Sequence, residues 1–242
     1  TPASVAGVDT QPRRRRHRWG LGAFALVESV YLATAFGFAL TLVGTNLDPV
    51  PAAVAATLVP SLLAAVVATT VTVIRGNGPR RDLALQWSWR AVGFGLLFGG
   101  LGLLVSLPAA SLWVWVVGED ANSAAGEVFG DVESTWAWAV VVFVAVVVVA
   151  PVCEEIVYRG LLWGAVAQRW GRWVAFAVTT VVFAIAHFEV TRIPLLLVVA
   201  VPIGLARLYT SNLTASIVAH QVTNFLPGLV LMFSVAGAAP AG

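Results

Sequence analysis

Lysine is absent from this 242-residue sequence, so all 14 basic residues are arginines; charged residues of either sign make up only 11% of it. Soluble domains carry about 25% charged residues. A chain with less than half of that, 59% hydrophobic residues and a mean hydropathy of +0.89, cannot cover a water-facing globule. Cysteine occurs once, at Cys153, which excludes an internal disulfide. The HExxH helix of common zinc proteases is missing. No aspartate lies within an apolar run, because Asp9, Asp48, Asp82, Asp120 and Asp131 all sit in loops or flanks. That removes a membrane aspartyl dyad. The Gly-x-Ser-x-Gly elbow and the Walker and Rossmann loops are absent as well.

What is present is a series of apolar runs near or above the ~20 residues that cross a hydrocarbon core. Read against their polar breaks, they give helices over 21–44, 50–74, 91–117, 135–168, 173–188, 193–208 and 214–233. Strands are excluded by the lack of ten-residue alternation, since an open sheet cannot satisfy its backbone in lipid. The expected fold is an all-α polytopic bundle of about seven spans, with Pro202 and Pro227–Gly228 interrupting the last two. No internal repeat suggests an inverted-repeat transporter. Residues 1–18 read as a disordered arginine-rich cytoplasmic tail. Residues 19–134 read as three helices with an outer loop, and 135–242 as a helical core.

Charge orients the bundle. With the N-terminus in the cytoplasm, the tail, the loop after the second span, the 169–172 turn and Arg207 place twelve arginines inside. Arg192 alone lies outside, and Arg159 lies within a span. The 118–134 loop carries five acids: Glu119, Asp120, Glu127, Asp131 and Glu133. This is a positive-inside pattern for a multi-pass plasma (inner) membrane protein with its N-terminus cytoplasmic. The basic run is thereby explained as a topology signal. Its expected partner is the lipid bilayer, with no nucleic acid.

Ionisable side chains inside a span are costly and are functional candidates by default. They are Glu28, Glu154, Glu155, Arg159, His187 and His220, with Asn224 as a polar neighbour. Glu155 and Arg159 stand i, i+4 on one helix face, where they can pair. Glu154 is rotated about 100° from that face and lacks the partner. A carboxylate without a cationic partner makes the better general base. Phe183 shares a face with His187, and His220 with Asn224, by the same spacing. Glu154 and His187 fall level with each other in a hairpin turning at Gly171. His220 joins them if the turn around Gly171 projects about two helical turns into the cytoplasm.

Blander readings stand beside these. Glu155–Arg159 serves equally well as a structural ion pair. A lone intramembrane histidine is often only a polar residue bonded to a neighbouring helix. Phe183 and Trp163 read as packing, Cys153 as a small buried thiol, and Glu28 receives no role. No carboxylate is visible in the sequence to orient either histidine, a support that metal-bound histidines usually have. The joint pattern of two acids, an arginine, two histidines and an asparagine on three helices resists the bland reading.

Glu154-Glu155-x-x-x-Arg159, Phe183-x-x-x-His187 and His220-x-x-x-Asn224 resemble, in order and separation, the three signature motifs of the CPBP intramembrane proteases. That family includes type II CAAX prenyl endopeptidases and bacteriocin-processing (Abi) proteins. Tyr158 stands where members often carry Phe. The resemblance covers roughly 135–233 and implies an endopeptidase acting on a membrane-associated or prenylated-type peptide or protein substrate. It further implies that Glu154 and His187 activate water. His220 and Asn224 would then bind the oxyanion or hold the water, while Glu155 and Arg159 shape the site or contact substrate, with Phe183 beside them. Both a glutamate-type and a zinc-dependent chemistry are open to it, the zinc set being Glu154, His187 and His220. The rival functions are a non-catalytic immunity or scaffold protein that keeps the site, and a proton-coupled transporter.

Overall fold

The structure, a computed structural model, describes residues 17–42, 45, 47–118, 123–130 and 132–238. Most of the expected disordered tail, Gly44 and the acids Glu119, Asp120 and Asp131 lie outside the described residues. Seven principal helices form the bundle: α1 Leu21–Leu42, α2 Pro49–Arg75, α3 Trp89–Val117, α4 Trp136–Trp170, α5 Arg172–Ala186, α6 Ile193–Thr210 and α7 Leu213–Val235. No strand occurs among the described residues. Side-chain caps set several starts, with Asp48, Ser88, Thr135 and Asn212 each accepting from a backbone N–H of the first turn. Gly118 and Gly171, both at positive φ, close α3 and α4.

Six of the seven helices are long and apolar enough to cross a membrane; α5 is the exception. Its 15 residues reach about 22 Å, short of a ~30 Å hydrocarbon core. The expected span over 173–188 is therefore too short to cross by itself. Its end is set by Phe188, which takes a left-handed φ of 57° directly after His187. A short 3-10 turn, Val190–Arg192, then leads into α6.

Backbone contacts show which helix ends lie together. The Arg18 N–H donates to the Arg75 carbonyl, and the Leu213 N–H to the Ala84 carbonyl, both at 2.9 Å. These bonds join the start of α1 to the end of α2, and the start of α7 to the loop between α2 and α3. At the opposite end the Ser134 N–H donates to the Val235 carbonyl at 2.7 Å, and the Ser234 hydroxyl to the Gly130 carbonyl at 2.7 Å. Alternating helix directions then gather Arg18, Arg75, Arg80, Arg81, Arg90, Arg169 and Arg172 at the first end. Glu127 and Glu133 lie at the other. Exposed Trp87, Trp89, Trp170 and Trp173 mark the arginine end, and Trp115 and Trp136 the acidic end, as aromatic belts do at bilayer interfaces.

Close backbone packing places α7. On α3, Gly95, Gly99 and Gly102 face it so tightly that an added Cβ would fall 2.5 Å from Val218 Cβ, 2.6 Å from Val222 Cβ and 2.8 Å from Thr223 Cγ2. On α4, Val147 fills the space a side chain at Gly228 would need. Small residues here let helices approach without a solvophobic drive. Helix α4 is not a regular α-helix throughout. It runs as π-helix over Ala145–Val149 and again over Ile156–Leu162, with one α-helical stretch, Ala150–Glu155, between them.

Candidate active site

The two adjacent glutamates occupy that α-helical stretch, between the two π segments. π turns widen the helix, shift side-chain direction and are frequent at functional sites. Glu155 is fully buried and Arg159 likewise; their Oε1 and Nη1 atoms lie 3.1 Å apart. The Arg159 Nη2 also donates to the Ala200 carbonyl of α6 at 3.5 Å. The expected pair is thus present, though the i, i+4 argument assumed an α-helix and Arg159 stands in π geometry.

Glu155 has a second partner. His220 Nδ1 donates to the same Oε1 at 3.0 Å. This corrects the expectation that no carboxylate orients either histidine. Sequence could not show it, because the two residues are 65 positions apart and lie on different helices. His220 Nε2 then points at Glu154, 3.8 Å from its Oε2, too long for a hydrogen bond. Glu154 keeps 27% of its side chain exposed. Adjacent acids therefore differ sharply: one is sealed and charge-paired, the other open and without a cation.

His187 is held differently. Its Nδ1 donates to the Phe183 carbonyl at 2.7 Å, leaving Nε2 with its lone pair. The Phe183 ring is the hub of the site. Its centroid is 4.5 Å from that of His187 and 5.5 Å from that of His220, and Arg159 Cζ lies 4.1 Å over its face. Asn224, one turn beyond His220, reaches another part of α4, donating from Nδ2 to the Val146 carbonyl in the first π segment at 3.2 Å. The structure thus brings Glu154, Glu155, Arg159, Phe183, His187 and His220 together, with Asn224 at their margin. Cys153 is buried beside them.

Two residues went unassigned in the sequence. Arg207 was counted with the cytoplasmic arginines but is buried in α6. Its Nε donates to the Arg159 carbonyl at 3.1 Å, and its guanidinium lies 5.3 Å over the Trp163 ring. Its place inside an apolar run was the available signal. Tyr158, i+4 from Glu154, packs edge-on against Phe183 at 5.5 Å. Glu189, by contrast, pairs with Arg192 toward the acidic end. Among the described residues no three His, Cys, Asp or Glu side chains stand close enough to hold one metal ion. Glu154, His187 and His220 therefore do not fit a zinc set in this arrangement.

A buried carboxylate–imidazole pair beside an open carboxylate, inside a helical bundle built for lipid, defines a polytopic membrane protein with the groups that hydrolysis requires. Residues 136–226 match the family model described as Type II CAAX prenyl endopeptidase Rce1-like. The matched segment runs from the start of α4 into α7 and holds all three motifs, which supports the expected resemblance to the CPBP intramembrane proteases. No curated protein and no solved structure matches the chain.

Proposed function

We propose that the protein is an intramembrane endopeptidase of glutamate type that cleaves membrane-associated or prenylated-type peptides with water activated by Glu154. The observation that carries this reading is the contrast at Glu154–Glu155: the open acid faces a histidine whose far nitrogen the sealed acid holds. Glu154 takes a proton from water as the oxygen adds to the substrate carbonyl carbon. With Nδ1 committed elsewhere, His187 keeps an Nε2 lone pair to accept the water's other hydrogen and align it. Asn224 has a second N–H to offer the oxyanion of the tetrahedral intermediate. The proton on Glu154 passes to the amine nitrogen as the C–N bond breaks, and the carboxylate is regenerated. Glu155 stabilises any positive charge that collects on His220, as the buried carboxylate does in hydrolase triads.

Support for the membrane orientation comes from the gathering of arginines at one end: the N-terminus and the loops around Arg80 and Gly171 face the cytoplasm. Substituted-cysteine labelling in a C153S background should find positions in 123–130 reactive from outside and positions near Arg80 only from inside. The reverse pattern sinks the orientation. The activity is tested by incubating purified protein with a peptide library. Glu154→Gln keeps the shape and removes the base, so turnover should fall by about 10³-fold or more while the melting temperature in detergent stays at the wild-type value. Equal turnover by the variant and wild type would overturn the assignment.

A further inference from the structure

Arg207 stands apart from the other arginines at its end of the bundle. Arg75, Arg80, Arg81, Arg90, Arg169 and Arg172 are exposed, whereas Arg207 is only 6% exposed. Among the described residues no carboxylate lies within ion-pair distance of it. A buried guanidinium without a counter-charge is costly in a membrane protein, and such residues are functional candidates by default. What Arg207 holds is backbone. Its Nε donates at 3.1 Å to the carbonyl of Arg159, inside the second π segment of α4, and its guanidinium lies over the Trp163 ring. Arg159 answers from its side chain, donating to the Ala200 carbonyl. Ala200 and Arg207 stand two turns apart along one face of α6. Arg159 is thereby tied to α6 at two levels, once through its carbonyl and once through its guanidinium.

We propose that Arg207 is a positioning residue for the site: by holding the Arg159 carbonyl it fixes the rotation and height at which α4 presents its two acids. From that carbonyl the contacts run unbroken to the chemistry. Arg159 Nη1 meets Glu155 Oε1 at 3.1 Å, the same oxygen accepts from His220 Nδ1 at 3.0 Å, and His220 Nε2 faces Glu154. Arg207 touches none of the reacting atoms and acts through Arg159 and Glu155. A π turn is an uncommon geometry, and a regular α-helix over Ile156–Leu162 would rotate Ala150–Glu155 relative to the remainder of α4. The Arg159 carbonyl has two lone pairs, so it can accept from Arg207 beside any bond within α4. The first π segment is held in the same manner, with Asn224 donating to its Val146 carbonyl at 3.2 Å. The stretch that carries Glu154 and Glu155 is thus flanked at both ends by π carbonyls bound from neighbouring helices. Displacements of about 1 Å in a catalytic constellation can cost on the order of 100-fold in rate.

The inference rests on the peptidase reading for what the site does, and the test separates the two. Arg207→Met, Arg207→Gln and Arg207→Lys are compared with wild type in detergent. Gln places an N–H at the same point along the side chain as the arginine Nε, without the charge. Met keeps an unbranched apolar chain with no donor, and Lys keeps the charge but carries its donors one atom further out. Peptide turnover is measured together with the imidazole ¹⁵N signals of the three histidines, assigned by substitution. R207M should lower kcat about tenfold with little change in KM, and should shift the His220 Nδ1 signal. R207Q should restore most of the rate and return that signal toward wild type, and R207K should recover less than R207Q. An unmoved His220 signal in R207M, R207Q no better than R207M, or R207K more active than R207Q would overturn the proposal. If R207M does not fold, the order of R207Q and R207K in rate and in the His220 signal still decides it. If wild type and Glu154→Gln both fail to cleave, the peptidase reading falls alone, and the His220 signal across the variants decides whether Arg207 positions the site.

Discussion

The two sides of α4 meet very different neighbours. Toward α7, α4 packs at backbone distance, with Val147 in the space above Gly228 and three glycines of α3 pressing α7 from behind. There Glu155, Arg159 and His220 are sealed and joined by hydrogen bonds at 3.0–3.1 Å. Elsewhere α4 meets α1, a helix that is mostly exposed, and the polar groups Glu154 and Glu28 remain half-buried. The difference teaches how one helix can hold two acids in opposite states. Rigid small-residue packing excludes water from one carboxylate and fixes its partners, while the looser side leaves the other carboxylate reachable.

The comparison breaks most forcefully at Glu155. Glu155→Gln strands Arg159 without its counter-charge in a sealed site, a loss of about 3–5 kcal/mol for a buried pair. Thermal unfolding in detergent should show this drop, while Glu154→Gln on the open side shows none. Equal stability of the two variants would mean that the two sides of α4 do not differ as described. Next in size is the glycine seam. Gly99→Val would push the α7 backbone away from α3, at a cost of about 1–3 kcal/mol for overpacking. Because α7 carries His220 and Asn224, peptide turnover should fall with it, whereas Gly100→Val, where an added Cβ meets nothing within 4 Å, should leave both unchanged. The smallest expected effect concerns metal. With water held by Glu154 and the His187 imidazole, prolonged chelation should leave activity unaltered. Activity lost on chelation and restored by one equivalent of zinc would instead require Glu154, His187 and His220 to close into a ligand set.

Much of the site was legible because helical spacing is local. Glu155–Arg159 and Phe183–His187 each contact within one turn, and the sequence interval alone predicts that. The paired Glu155 and unpaired Glu154 follow from the 100° step between neighbours. What stayed hidden involved residues on separate helices or a departure from regular geometry. The bond between His220 and Glu155 depends on how far α7 slides along α4. The hydrogen bond from Arg207 to the Arg159 carbonyl belongs to an arginine that charge counting had assigned to the cytoplasmic side. The π segments carry no compositional mark, since Ala145–Val149 reads like any other apolar run.

By itself the sequence determined that this chain is a lipid-embedded helical bundle, how its charges divide between the two ends, and which polar residues stand inside. Scarcity of charge and the length of apolar runs leave the backbone no other way to satisfy its hydrogen bonds in hydrocarbon. Tertiary structure alone decided that α5 stops short at Phe188, that Glu155 rather than water holds His220, and that Phe183 gathers both histidines and Arg159 around one ring. Those outcomes depend on helix register and on contacts between residues 24 to 65 positions apart, which small-residue packing fixes to within an ångström and local periodicity does not encode.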